Sequence, residues 1–298
     1  MHYFVDSLHA QAYNARIMNK LTVDKRARVI ASLVEGNSIR ATARMTGVSK
    51  DAILKLVEDF GKVCTEHHNK TVRNVASRRV QCDEVWAFCY AKAKNVPEEK
   101  QGSGAGDVWT WTAIDADSKL ILSYLCAGRD AQCAYQFMED LASRVSTRIQ
   151  ITSDGLRVYA QAVEGAFGMN VDYAMLIKLY GEPADNPDTR YSPAECIGIR
   201  TAILSGNPNP LHISTSYAER QNLNIRMGIR RFTRLTNAFS KKFANHCHMV
   251  AIYFAYYNFC RIHQTLRVTP AMQAGISDHV WSVEELVGLL YDAEERAA

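Results

Sequence analysis

Residues 80–90 read Val80-Gln81-Cys82-Asp83-Glu84-Val85-Trp86-Ala87-Phe88-Cys89-Tyr90. Taken as a strand, positions 82, 86, 88 and 90 share one face and Val85, Ala87 and Cys89 line the other. Both faces are apolar, so the stretch predicts a well-buried strand. A carboxylate inside such a strand is costly unless something pairs with it. Asp83, between Cys82 and Val85, therefore calls for a cation.

Downstream, a polar, glycine-containing hairpin over 92–106 leads to a strand over 108–114. The turn Asp115-Ala116-Asp117-Ser118 then leads to a strand over 120–125. A helix over 130–145 should bury Tyr135, Phe137, Met138 and Leu141, and a fourth strand over 149–152 ends at Ser153-Asp154-Gly155. A helix over 156–167 and a short strand over 171–180 follow. This order predicts an α/β fold, a mixed five-stranded sheet flanked by helices, whose strand ends gather functional side chains along one edge. Residues 181–210 hold five of the seven prolines, so an irregular insertion is expected over about 181–212. Ser214 or Thr215 can cap a helix running through Tyr217, Glu219, Asn222 and Leu223 to about Arg231. An aromatic-rich helix over 243–259 closes the main unit, 80–260. In a helical extension over 261–298, Ser282 and Glu285 match a capping box.

Upstream, residues 1–20 show no period and are expected to form a leader. Val23, Arg26, Val29, Ile30, Leu33 and Val34 mark one helix face, ending at Gly36. A short helix over 38–46, burying Ile39, Ala43 and Met45, breaks at Gly47, and Ser49 can cap a third helix with Ile53, Leu54, Leu56 and Val57. This is the outline of a helix-turn-helix unit over 21–62, which would present Lys50, Asp51 and Lys55 to a major groove. A three-helix bundle without DNA has the same outline. Residues 63–79, basic and without apolar period, read as a linker. The neighbouring His67 and His68 point opposite ways on an extended segment and make no zinc pair.

At 298 residues with 47% hydrophobic and 22% charged residues, the chain is an ordinary globular protein of two or three units. It has no apolar run of 18 residues and no signal-peptide pattern at its start. No membrane partner and a cytoplasmic, nucleoid-associated location are expected. The eight cysteines include no CxxC pair, which reads as reduced and structural. His246 and His248 lie about 200° apart around a helix and cannot easily share one ion. A net charge of +4 is too small to identify a polyanion partner, but residues 224–243 carry Arg226, Arg230, Arg231, Arg234, Lys241 and Lys242 with no acid among them. A phosphate-tracking surface needs that one-sided charge.

Three acids stand where this fold can bring them together: Asp83 in the first strand, Asp154 after the fourth and Glu219 on a late helix, 71 and 65 residues apart. Hard oxygen ligands suit Mg²⁺ or Mn²⁺. Two such ions can activate an attacking hydroxyl and stabilise the leaving oxygen of a phosphodiester. Each acid alone reads equally well as a salt bridge or a helix cap. On one continuous helix, Glu219, Asn222, Arg226 and Arg230 fall at i, i+3, i+7 and i+11 and share a face. Such a stripe suits a metal at one end and a DNA backbone along the rest.

The segment Ala218-Glu219-Arg220-Gln221-Asn222-Leu223-Asn224-Ile225-Arg226, with Arg231, Arg234-Leu235-Thr236 and Ala238-Phe239-Ser240-Lys241 after it, resembles the IS1-family insertion-sequence transposases. These belong to the wider DDE group with a ribonuclease-H-like fold. Cys82-Asp83-Glu84-Val85-Trp86 and Thr152-Ser153-Asp154-Gly155 are similar to that family's two aspartate segments. The resemblance covers roughly 80–259. It implies that Asp83, Asp154 and Glu219 are catalytic metal ligands for about two Mg²⁺ or Mn²⁺ ions, and that the product is strand transfer at insertion-sequence ends. The family often begins with a cysteine-rich zinc segment, yet residues 1–63 contain no cysteine. That leaves the helix-turn-helix to read terminal inverted repeats in double-stranded DNA. The expected DNA contacts are Lys50, Lys55, Asn222, Arg226, Arg230, Arg231, Arg234 and Lys241, on a homo-oligomer that holds two ends. A nuclease of the same fold without strand transfer and a catalytically inactive DNA-binding regulator are the competing readings.

Overall fold

A computed structural model describes residues 20–181, 196–233 and 236–296. The expected leader, 1–20, lies outside these residues except for Lys20. Helix α1 (Val23–Val34) starts where Thr22 accepts from Lys25 N–H, and α2 (Ile39–Thr46) where Ser38 accepts from Ala41 N–H. Gly47, with φ +69°, opens the turn into α3 (Lys50–Thr71), which Ser49 caps at Ala52 N–H. Within α2, Ile39 and Ala43 pack against the core as expected, while Met45 is 60% exposed and Thr42 is buried in its stead.

Helix α3 corrects the proposed linker, for it continues through 63 to Thr71. Its buried stripe is Ile53, Leu56, Val57, Phe60, Cys64 and His68, spaced as a helix requires. The last two are a thiol and an imidazole, which the apolar pattern did not count. His68 Nε2 lies 3.0 Å from the Leu122 carbonyl, and burial brings its pKa down to about 3. The neutral ring therefore acts as a core residue.

Among the described residues the sheet has six strands, β1 (Arg79–Cys89), β2 (Gly106–Asp115), β3 (Ile121–Ala127), β4 (Ile149–Ser153), β5 (Val171–Tyr180) and β6 (Cys196–Ser205), in the order β3-β2-β1-β4-β5-β6. Strands β1, β4 and β5 run parallel; β2, β3 and β6 pair antiparallel with their neighbours. The expected five-stranded sheet is thus corrected to six. The extra strand lies inside the proposed 181–212 insertion and pairs with β5 from Tyr173 to Tyr180. Alternating Ile197, Ile199, Thr201 and Ile203 mark it locally, a pattern outweighed in the sequence reading by the prolines around it.

Helices α4 (Ala131–Ala142) and α5 (Val158–Phe167) cover one sheet face, packing Phe137, Met138, Leu141, Tyr159 and Val163 against Val80, Cys82 and Trp111. Tyr135, expected inside α4, is 43% exposed. The other face carries α6 (Ser216–Gly228) and α7 (Phe243–Phe259). Beyond them come α1, α3 and α9 (Val283–Arg296), while the short α8 (Pro270–Gln273) places Ala271 in the core with α4 and α5. Val85 and Ala87 of β1 share one core with Ile30, Ile53, Phe60, Tyr253 and Leu286. The amino-terminal helices are therefore built onto the main body through α7. The crossing is close: a Cβ on Gly61 would stand 2.4 Å from the Cβ of His248. Among the described residues no helix is long and apolar enough to cross a membrane.

Candidate active site

Strands β1 and β4 are parallel neighbours, and their last paired residues are Cys82 and Ser153. The next residue on each is an aspartate, so Asp83 and Asp154 come together where β4 stops and β1 continues beside β2. Glu219, in the first turn of α6, lines the same cleft but is not among the carboxylates whose oxygens lie within 4.8 Å of one another. That helix is seated on β1 by Gln81, whose Oε1 accepts from the N–H groups of Tyr217 and Ala218 at 2.7 and 3.2 Å. The buried amide thus satisfies two of the four N–H groups that every helix start leaves open. Thr215 stands at the N-cap, yet its hydroxyl goes to Glu219 Oε1 at 2.5 Å instead.

The three acids, with Arg129, Lys178 and Thr215, line one cleft of about 580 Å³. Asp83, Glu84 and Asp154 each offer an oxygen within 4.8 Å of the others. Glu219 approaches from the side of Lys178, whose ammonium is 2.6 Å from Oε1. Asp83 Oδ1 accepts from Glu84 N–H, and Oδ2 from the Asn222 amide, each at 2.8 Å. Burial, then the charge of Asp154, raises the Asp83 pKa to about 7. Glu84 rises to about 7 for the same two reasons in the same order. Two carboxylates near neutrality beside a third make a site that takes up positive charge as protons leave.

The chain supplies part of that charge itself. Arg129 lies 3.1 Å from Glu84 Oε2 and 3.8 Å from Asp154 Oδ2, with its guanidinium 4.4 Å above the Trp109 ring. Glu84 Oε1 is buried with no hydrogen bond of good geometry, and so is the Tyr159 hydroxyl that faces Glu84 and tempers its pKa. All the donors are hard oxygens, and one is a buried carboxylate oxygen that faces only the Tyr159 hydroxyl. That set fits Mg²⁺ or Mn²⁺.

The expected DNA contacts fall in different places. Lys50 and Lys55 lie on the exposed side of α3, Lys55 paired with Asp59 at 2.7 Å. Asn222 is 5% exposed and turned inward onto Asp83, so its amide orients the acid. The long stripe is corrected: α6 ends at Gly228, not near Arg231, which leaves Arg226 on the helix and Arg230 in the turn beyond it. A Cβ on Gly228 would stand 2.3 Å from the Tyr253 ring, so the chain passes α7 there with no room for a side chain. Arg231 points inward, donating to the Asn245 carbonyl and to Ser240 Oγ, and burial lowers its pKa to about 10. Lys241 is exposed and lies over the Phe239 ring. Arg234 lies outside the described residues. His246 packs against the Phe232 ring and is held neutral by burial, its pKa down to about 3.

Sequence reasoning passed over Gln81, Glu84, Arg129 and Lys178. Glu84 had a signal, a second acid in the same apolar strand. The two cations had none, because their partners are 45 and 41 residues away.

No family model matches the sequence, and neither does any curated protein. Among solved structures, the chain is similar to the piggyBac transposase in a synaptic complex with hairpin DNA. Identity is 12% over 91% of this chain and 71% of that one, with a TM-score of 0.39. It is also similar to the Mos1 strand transfer complex, at 15% identity over 52% of this chain and 59% of that one, with a TM-score of 0.24. Likeness this slight carries no argument about function, which the geometry of the site must supply.

Proposed function

We propose that this protein is a DNA transposase of the DDE type, related to the IS1 family, with Asp83, Asp154 and Glu219 as its metal-binding acids. The observation that carries the reading is their convergence from β1, the end of β4 and the start of α6 onto one cleft. Strand order supports it too. A ribonuclease-H-like core needs an antiparallel β3-β2-β1 meander continued by parallel β4 and β5, with its acids adjoining on β1 and at the end of β4, and that order is present here, Asp83 and Asp154 following the last β1–β4 pair.

Bound at these oxygens, two divalent ions would activate a water or 3′-hydroxyl and stabilise the leaving oxygen of a phosphodiester. The chain's own groups set the stage. Asn222 and the Glu84 N–H fix both oxygens of Asp83, so that acid presents one orientation. Thr215 and Lys178 hold Glu219 at the cleft. Arg129, partly exposed at the rim, is placed to meet a phosphate once it leaves the acids. Lys50, Lys55, Arg226, Arg230 and Lys241 are the basic residues proposed to follow the duplex. Holding two DNA ends together calls for more than one copy of the chain.

The test is an assay with end-labelled DNA carrying the element's terminal repeats, in Mn²⁺ or Mg²⁺. Strand transfer gives products longer than the substrate, and Asp83→Ala, Asp154→Ala or Glu219→Ala should each lower it at least a hundredfold. Cutting without longer products would make the protein a nuclease, and untouched DNA would make it a binding protein.

A further inference from the structure

We propose that an aromatic groove along the open edge of β1, next to the acid cleft, receives unpaired bases of a DNA strand. The inference rests on the proposed transposase reading and specifies the state of the DNA, a duplex opened beside its scissile phosphate.

The groove follows from where β1 loses its neighbour. Strand β4 pairs with it only as far as Cys82, and the chain around Ser240 rejoins the same edge at Cys89, where Tyr90 N–H donates to the Ser240 carbonyl. Between those two points, among the described residues, no strand covers the edge. A cavity of about 620 Å³ opens there, lined by Trp86 and Phe88 from β1 and by Phe232 and Phe239 from the facing segment. That is the size of a small-ligand site.

Its lining is unlike that of the acid cleft, for no carboxylate is among the residues that form it. The Phe88 ring centre lies 5.7 Å from that of Trp86 and 4.7 Å from that of Phe239, so the rings make one row, each half-buried. An ammonium stands at either end, Lys92 5.7 Å over Trp86 and Lys241 3.4 Å over Phe239. Ring faces open to solvent beside cations suit bases that stack and phosphates that run past them. A closed duplex offers base edges in its grooves and keeps its base faces stacked inside, so only unpaired bases can use these rings. Trp86 follows Asp83 by three residues, about 10 Å of extended strand, which matches about three stacked nucleotides. The opened bases therefore lie within about three nucleotides of the cut.

The experiment measures affinity by fluorescence anisotropy, with the full chain in Ca²⁺, whose loose coordination suits binding more than chemistry. The probes are a blunt duplex, the same duplex with a short tail of unpaired thymidines at its 3′ or 5′ end, and the tailed duplex with abasic spacers in place of those thymidines. One tail should tighten binding at least fivefold, the low end of a single base–ring stack, and the abasic spacers should abolish the gain. Trp86→Leu and Phe239→Leu, checked by circular dichroism, should lose the gain and keep the wild-type affinity for the blunt duplex. If neither tail adds affinity, or abasic spacers add as much as thymidines, this inference fails and the functional reading stands. That comparison uses the unaltered chain, so it decides the matter even where a variant does not fold. A gain that survives in both folded variants would put the bases elsewhere and overturn the assignment. If no probe binds at all, both readings fail.

Discussion

Replacing Asp83 by asparagine should make the ion-free protein more stable while removing its response to metal. With its pKa near 7 in the folded chain and about 4 in the unfolded one, Asp83 favours folding below about pH 4. That contribution is lost as the pH rises to 7, because the folded chain must then hold a charge it resists. At about 1.4 kcal/mol per pKa unit the full cost at pH 8 is about 4 kcal/mol. Glu84 and Asp154 share the same repulsion, so about half of that, roughly 2 kcal/mol, belongs to Asp83 alone. The replacement keeps the hydrogen bonds. The new carbonyl still accepts from Glu84 N–H, and Asn222 can turn its amide so that its oxygen, now buried without a partner, accepts from the new NH₂. For a chain of this size roughly 2 kcal/mol corresponds to about 4–8 °C in melting temperature. Thermal denaturation in EDTA should therefore place Asp83→Asn above wild type at pH 8 and close to it near pH 5. Adding Mn²⁺ should raise the wild type and leave the variant where it was. A variant that melts at or below the wild type at pH 8 in EDTA would refute the claim that the acid is held under electrostatic strain.

Two further substitutions test how the site is carried. Gly61→Ala puts a methyl 2.4 Å from the His248 Cβ and 2.7 Å from its Cα, so α3 and α7 must move apart. Urea denaturation should show a loss of about 1–3 kcal/mol, and an unchanged midpoint would mean that these helices do not share one core. Gln81→Ala leaves the N–H groups of Tyr217 and Ala218 without their acceptor. It should cost about 1–3 kcal/mol, and metal-dependent DNA cleavage should fall with it because Glu219 rides on that helix start. Full cleavage activity in a destabilised Gln81→Ala protein would separate α6 seating from the chemistry.

Much of this protein is decided by short-range pattern. Strand β5 over Val171–Tyr180 and helix α7 over Phe243–Phe259 follow from runs of apolar residues whose length and period allow one structure each. The caps at Ser38, Ser49 and Ser282 follow from one hydroxyl and the N–H three residues on. The positions of Asp83 inside β1 and Asp154 just past β4 belong to this class, since a carboxylate in or next to a buried run marks itself.

What tertiary contact decided is where elements stop and which charges meet. Helix α3 runs past 62 because Cys64 and His68 are buried against other elements, though neither residue type announces burial. Strand β6 has its own alternating pattern but finds its place only along the edge β5 offers, and α6 ends at Gly228 where the chain must clear Tyr253. Arg231 and Asn222 face inward although a helical wheel turns them outward, and Arg129 and Lys178 reach the acids from distant segments. The sequence determines each residue's local geometry and polarity. A charge or an edge acquires its partner only when the packed chain brings remote segments within a few ångströms, and no local pattern records that distance.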